Sequence, residues 1–311
     1  MIGAADKPGA TDVDPETAKR LKRTATYASV SVALVLIAAK LVAWLVTGSV
    51  AMLSTMIDSL LDLAASAVNL VAVCQALVPA DREHRFGHGK AEPVAGLIQG
   101  AFVCGSAAFL VFEAGERLLH PVAVTNSTVG FAVMAFSIVV TAGLVLYQRY
   151  VVRHTGSVAI GADSLHYSAD LLVNVSVIVA LVLTVHFGWV YADPLIALAI
   201  AFVILRGALT IIRESLNLLM DRELPDKDRE RIRTIAVGHP GVIDMHDLRT
   251  RSSGPSTFIQ LHLEMDGEIT LHDAHIIAES VMAEIEDAFP GAEVLIHEDP
   301  YGVAERRAVF K

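Results

Sequence analysis

Residues Val158–His186 read VAIGADSLHYSADLLVNVSVIVALVLTVH. The run is long and apolar enough to cross a hydrocarbon core of about 30 Å, which takes about 20 helical residues. It nevertheless carries His166 and Asp170, four residues apart, with Asp163 nearer its start. That spacing puts His166 and Asp170 on one helix face. An aspartate near the centre of a spanning helix costs roughly 2.5–3.5 kcal/mol on the insertion scale. Ionisable groups at such depth mark ion pathways by default. The stretch therefore predicts a membrane bundle and a site inside it.

Five further apolar runs fit spans: Thr24–Val46, Val50–Val78, Pro93–Leu119, Thr128–Tyr150 and Tyr191–Arg213. Thr47-Gly-Ser49, the polar run Pro79–Gly89, His120-Pro121, Arg153–Ser157, and Gly188 with Asp193-Pro194 break them. A composition that is 54% hydrophobic agrees, since soluble domains seldom reach it. Lys19, Arg20, Lys22 and Arg23 precede the first span, and Arg82, Arg85 and Lys90 fill the second loop. Arg149 and Arg153 mark the fourth span, and Arg213 and Arg222 the exit of the sixth, while the opposite loops lack Lys and Arg, with only Arg117 near one. Positive charge on one side predicts that both termini are cytoplasmic. Lys40 lies six residues from the outer end of its span, roughly 9 Å, and is read as snorkelling outward.

The second span holds the partner pair, Asp58 and Asp62, again four apart. Asp58 and His166 each stand nine residues from the break at their own end, about 13 Å in, and Asp62 and Asp170 about 20 Å in. The two pairs thus overlap near the midplane, where two antiparallel helices can close one oxygen-and-nitrogen tetrahedron of the kind Zn2+ accepts. The structural alternative is a polar interhelical network, with the aspartates bonded to His166 and to Asn69 or Asn174. Asp163 reads either as an attractor of cations at an entrance or as a solvated carboxylate. Cys74 and Cys104 sit in apolar runs and read as packing residues, which leaves no disulfide framework and no thiolate copper site.

The net charge of −10 belongs to the C-terminal third: from Leu216 onward there are 19 Asp/Glu against 10 Lys/Arg. No basic surface suggests a nucleic-acid partner. Residues 1–18 read as a disordered tail, residues 19–215 as the six-span domain, and residues 216–311 as a soluble domain. In the last, a helix from Pro225 to Val237 precedes strands Val242–Arg251 and Ser256–Met265, a helix Thr270–Phe289 and a strand Ala292–Asp299. Ile259, Leu261, Leu263 and Met265 alternate with Gln260, His262 and Glu264, the period of a half-buried strand. The expected fold class is an all-α six-helix transmembrane bundle plus a small α+β ferredoxin-like cytoplasmic domain.

Secondary clusters carry weaker signals. Asp81, His84 and His88 could share a helix face, but Gly87 and Gly89 favour a loop. His262 lies on the strand face away from the helices, and His297 and Asp299 share a face at i, i+2. That surface is acidic and histidine-bearing, which favours metal over mere solvation, and His246 on the neighbouring strand could join it. His275 is on a helix, where an exposed histidine is the ordinary alternative; His120, His154, His186 and His239 receive no role.

The pairs in Asp58-Ser-Leu-Leu-Asp62 and His166-Tyr-Ser-Ala-Asp170 resemble the transport-site motifs of the cation diffusion facilitator family, in its bacterial zinc and ferrous-iron efflux branch. Phe86-Gly-His-Gly-Lys90, His246-Asp-Leu-Arg-Thr-Arg251 and His297-Glu-Asp-Pro300 extend the resemblance over nearly the whole chain after residue 20. The resemblance implies a homodimeric proton-coupled antiporter of a bacterial inner membrane. It implies alternating access, and a metallochaperone-like cytoplasmic domain that dimerises around bound metal. It assigns Asp58, Asp62, His166 and Asp170 to the transport site and Asp81, His84 and His88 to a loop metal site. His246, His262, His275, His297 and Asp299 fall to the cytoplasmic-domain metal cluster, and Lys90 with Asp221 to a hinge ion pair. The longer acidic N-terminal tail departs from the family pattern, and His272 has no counterpart in it.

The expected activity is export of Zn2+, or of Fe2+, Cd2+, Co2+ or Mn2+, which mixed Asp/His ligation also suits. Protons compete with the metal for deprotonated ligands. No Gly-rich phosphate loop is present, so no nucleotide is expected. A zinc-dependent membrane hydrolase would need a free general base and has no His-Glu-x-x-His motif to draw on; a membrane-bound metal sensor would need no ligands at the membrane centre.

Overall fold

The structure is a computed structural model describing residues 13–48, 50–119, 128–189, 191–254 and 256–303. Most of the acidic tail, Ser49 and His120 lie outside the described residues. The chain divides into two compact units, one of six long helices and one built from Val78–Lys90 together with Asn217 onward.

The helical unit contains α1 (Pro15–Thr47), α2 (Val50–Ala76), α3 (Ala91–Leu119), α4 (Thr128–Thr155), α5 (Val158–Phe187) and α6 (Ala192–Leu219). All six are long and apolar enough to span a bilayer, whose interior leaves every backbone polar group to be satisfied within the helix itself. Helix α1 starts at Pro15, inside the stretch expected to be disordered up to residue 18. Proline suits the first helical position because its missing N–H would be unpaired there, and Glu16 complements the helix dipole. At the start of α5 the Ser157 hydroxyl accepts from the Ile160 amide, and at its end Gly188 adopts φ 66° and closes the helix onto Leu183 and Thr184.

Large side chains point away from this unit: Phe109, Phe112, Val139 and Phe202 are 67–71% exposed. That is untenable in water and ordinary in lipid. Small residues at several points of the interior let helices approach closely. A Cβ at Gly96 would stand 2.6 Å from the Ser215 hydroxyl, and one at Gly207 2.8 Å from the Leu165 side chain. Buried Ala25, Val151 and Ile160 join α1, α4 and α5; Val103, Ala107, Ala169, Ile204 and Ala208 join α3, α5 and α6. Cys104 packs against the latter group, in keeping with a packing role. Arg117, the basic residue on the side that otherwise lacks them, is tied to Glu113 at 3.0 Å and to Asp193 of α6 at 2.8 Å.

The second unit holds α7 (Asp226–Gly238), β1 (Asp244–Ser253), β2 (Ser256–Met265), α8 (Leu271–Ala288) and β3 (Ala292–Pro300). The sheet order is β1-β2-β3, with β2 antiparallel to β1 and parallel to β3. The β2 alternation decides which face is covered: Ile259, Leu261, Leu263 and Met265 are at most 2% exposed and pack with Ile232 of α7 and Val281 and Ile285 of α8. Each such side chain contributes about 1.5–3 kcal/mol on burial. Both helices thus cover one face, leaving the histidine-bearing face open.

Candidate metal centres

In the helical unit three of the four expected transport ligands meet. Nε2 of His166 is 3.0 Å from Oδ1 of Asp62 and 3.8 Å from Oδ2 of Asp170. One ligand atom from each of Asp62, His166 and Asp170 lies within 4.8 Å of the others, enough to surround a single cation. The i, i+4 pair on α5 and Asp62 on α2 therefore reach the same level, as the depth reading required. Asp58, one turn away on α2, is exposed and outside this group. Repulsion among carboxylates opposes bringing a third one against a single imidazole. The Asn-based network is not formed: Asn174 donates to the Asp170 backbone carbonyl at 2.9 Å, and neither side-chain polar atom of buried Asn69 has a partner among the described residues.

Asp163 is neither at an entrance nor solvated, since it is 1% exposed. Its Oδ2 accepts from Ser29 of α1 at 2.5 Å and from Gln148 of α4 at 2.7 Å. Its Oδ1 accepts from Gln99 of α3 at 3.3 Å and, more weakly, from Ser66 of α2 at 3.5 Å. One carboxylate on α5 thus collects donors from four other helices, one turn from His166. Tyr167 reinforces the node through Ser66 at 2.9 Å and the Ser29 carbonyl at 3.3 Å. Serine and glutamine in apolar helices were the available signal, but which of them converge depends on how the helices pack.

Lys40 also departs from expectation. Instead of reaching outward, its ammonium turns to α2 and donates to the Ser59 hydroxyl at 2.6 Å and the Thr55 carbonyl at 3.1 Å. An intramembrane ammonium gains more from two fixed acceptors than from an apolar path to the surface. Lys22, unlike the half-buried Lys40, is fully buried and is paired with Glu92 at 2.9 Å.

In the second unit the loop after α2 folds around Asp81. Its Oδ1 accepts from the amides of His84 at 2.7 Å and Glu83 at 2.9 Å, an Asx turn rather than a helix. The His84 amide bond holds the Asp81 carboxyl below its ordinary range, with the Glu83 amide and the His84 and His88 rings adding to it. His84 and His88 stand 3.4 and 3.5 Å from Asp81 with ring centroids 4.4 Å apart, so the three expected loop ligands converge. Lys90 pairs with Asp221 at 3.0 Å, as anticipated. Arg251 adds what the sequence reading did not assign: it approaches Asp221 at 3.5 Å, while its guanidinium lies over the rings of Phe86 and Phe258 at 4.8 and 4.3 Å.

On the open face of the sheet, backbone pairing aligns His246, His262 and His297 across β1, β2 and β3. Neighbouring rings are 5.0 and 4.6 Å apart. Buried Asp299 reaches all three, at 3.5 Å to His246, 2.7 Å to His262 and 3.1 Å to His297. His246, His262 and Asp299 each bring a ligand atom within 4.8 Å of the others, an imidazole-and-carboxylate set suited to Zn2+ or a similar ion, while His297 lies outside that group and Glu264 stands 3.0 Å from His246. His275 is not brought to it: it is exposed on α8, and α8 covers the other face of the sheet.

The family model of the cation efflux transmembrane domain matches residues 26–220. The chain belongs to the cation diffusion facilitator family. The model of the cation efflux protein cytoplasmic domain matches residues 224–301 of this facilitator. It is 48% identical over 281 residues to the cation-efflux pump FieF of Shewanella oneidensis, covering 90% of this chain and 95% of that relative. It is 47% identical over 291 residues to FieF of Serratia proteamaculans, covering 94% and 96%. A solved structure, the metal-bound C-terminal domain of the CzcD transporter from Thermotoga maritima, is similar over 25% of this facilitator and 93% of that chain, with 29% identity and a TM-score of 0.25.

Proposed function

We propose that this facilitator is a proton-coupled antiporter that exports Zn2+ from the cytoplasm of a bacterium across its inner membrane by alternating access. Cation efflux is the activity named for its family model and for its FieF relatives. The observation that carries the reading further is the meeting of Asp62, His166 and Asp170 between two spanning helices. Two carboxylates and one imidazole there match the donor preferences of Zn2+, with Fe2+, Cd2+, Co2+ and Mn2+ as further substrates. Asp58 joins as fourth ligand in the loaded state, neutralising its charge against the ion. Protons and metal compete for the same lone pairs, and the imidazole is the group whose ordinary titration lies nearest cellular pH. A more acidic exterior thereby favours release of metal and uptake of protons.

The cytoplasmic domain, residues 216–311, acts as a dimerisation and metal-holding module, with His246, His262, His297 and Asp299 as resident ligands. Asp81, His84 and His88 hold metal in the loop, and Lys90 with Asp221 forms the hinge pair. Both termini face the cytoplasm, as the Lys and Arg distribution supports.

The test uses the purified protein in liposomes carrying a zinc dye and a pH dye. Zinc uptake should speed up when the opposite compartment is acidified, with proton counterflow in step. Zinc flux indifferent to the pH gradient would refute antiport; absence of flux for every divalent ion tried would refute transport.

A further inference from the structure

Lys40 is a fixed cation in a pathway for cations, and the exchange described above does not use it. Its ammonium is anchored on α2 by the Ser59 hydroxyl at 2.6 Å and the Thr55 carbonyl at 3.1 Å. Those two residues bracket Asp58, and Ser59, which is 1% exposed, stands between Asp58 and Asp62 in the chain. The ammonium is thereby held on the same stretch of α2 as Asp58 and Asp62, two residues assigned to the transport site. Among the described residues no carboxylate lies within 4 Å of it, so it does not form an ion pair with them. The ammonium is thus parked on neutral acceptors, close enough to feel the site and held back from filling it. On the chain's own course, Thr55 and Ser59 precede Asp62 along α2, toward the α1–α2 turn.

We propose that Lys40 is a resident counter-charge of the transport site, parked by Ser59, which lowers the site's affinity for a divalent cation so that the ion can leave. This rests on the transport reading above. The physics is direct: a fixed unit charge repels a doubly charged ion, and in a poorly screened interior that repulsion reaches across about 10 Å. Metal-free, the ammonium offsets part of the negative charge of the carboxylates. When the ion arrives, the same ammonium weakens its hold. Ser59 is the second part of the device. Without that anchor only the Thr55 carbonyl holds the ammonium, which can then swing toward the carboxylates and compete with the ion.

Two substitutions therefore have opposite signs. Lys40→Gln removes the charge but keeps hydrogen-bonding ability; it should lower the KM for zinc in proteoliposomes by about tenfold and lower kcat as release slows. Ser59→Ala leaves the charge and removes the closer of its two anchors; it should raise the KM severalfold. Lys40→Arg, which retains the charge, should stay near wild type. A merely structural contact between α1 and α2 predicts a raised KM or lost flux in both Lys40→Gln and Ser59→Ala, which would overturn the proposal. Unchanged KM and kcat in Lys40→Gln, while wild type transports, would overturn it too, leaving the transport function intact. Should Lys40→Gln fail to fold, Ser59→Ala carries the test alone: an unchanged or lower KM sinks the idea. Inactive wild-type protein points instead to failure of the transport reading.

Discussion

The two main candidate metal centres of this facilitator offer nearly the same donors in opposite settings. In the membrane-spanning unit, Asp62 comes from one helix and His166 with Asp170 from another, so their separations depend on how α2 and α5 are positioned. Helices in a packed bundle slide and tilt at modest cost, because only side-chain contacts oppose it. On the sheet, His246, His262 and His297 are held side by side by backbone hydrogen bonds, on strands about 4.7–4.9 Å apart. Moving one relative to the next would break the ladder. The difference teaches that ligand chemistry alone does not distinguish cargo from cofactor. A site on two separable helices suits an ion that must leave, whereas a site across a paired sheet suits an ion that stays. The surroundings follow the same division. Asp163 gathers four helices beside the helical site and Lys40 supplies a counter-charge, while the sheet site has Glu264 and Asp299 as further acceptors.

The sharpest way to break this contrast is to remove a ligand from each centre. Asp62→Ala should abolish zinc flux, exceeding the roughly 10–100-fold loss that even an outer partner's removal costs a metal site. The bundle should stay folded, because the change removes a charge the membrane interior disfavours. Flux near wild type in proteoliposomes, with circular dichroism unchanged, would show that the helical centre is not the path. The double variant His262→Ala, His297→Ala should behave differently. Metal content by direct elemental analysis should drop, and dimer stability with it through mass action, while flux falls by less than about tenfold. Full metal content in that variant would remove the retention role from the sheet.

The smallest effect belongs to the loop. The folded Asp81 carboxyl titrates below its ordinary value because the His84 amide bonds its charged form. The stabilisation of the turn is therefore complete above the unfolded value, about 3.9, and is lost as pH falls through the lower folded value. The His84 amide, followed by NMR, should report that transition, and Asp81→Asn should flatten it. Retention of the transition in the asparagine variant would mean that another group runs it.

Much of this molecule is local and was therefore readable in order along the chain. Hydrocarbon thickness demands long apolar helices, so the six spans stand out by composition. Helical rise and strand periodicity put both pairs, Asp58 with Asp62 and His166 with Asp170, around the midplane, and separated Ile259, Leu261, Leu263 and Met265 from His262 on the other face of β2. These follow from spacing on a single element or a pair of them. What only the tertiary structure decided depends on side chains meeting from elements far apart in sequence. Asp163 is a buried node because Ser29, Gln99 and Gln148 reach it from three other helices. Glu264 comes to 3.0 Å from His246 at the edge of the sheet cluster, while His275 stays out because α8 packs on the opposite face. Lys40 turned inward because Ser59 and Thr55 offered fixed acceptors, and Asp58 stayed outside the group that Asp62 joined. Charge and polarity at a position are written in the sequence, but the partner that satisfies them is chosen by helix packing and strand register.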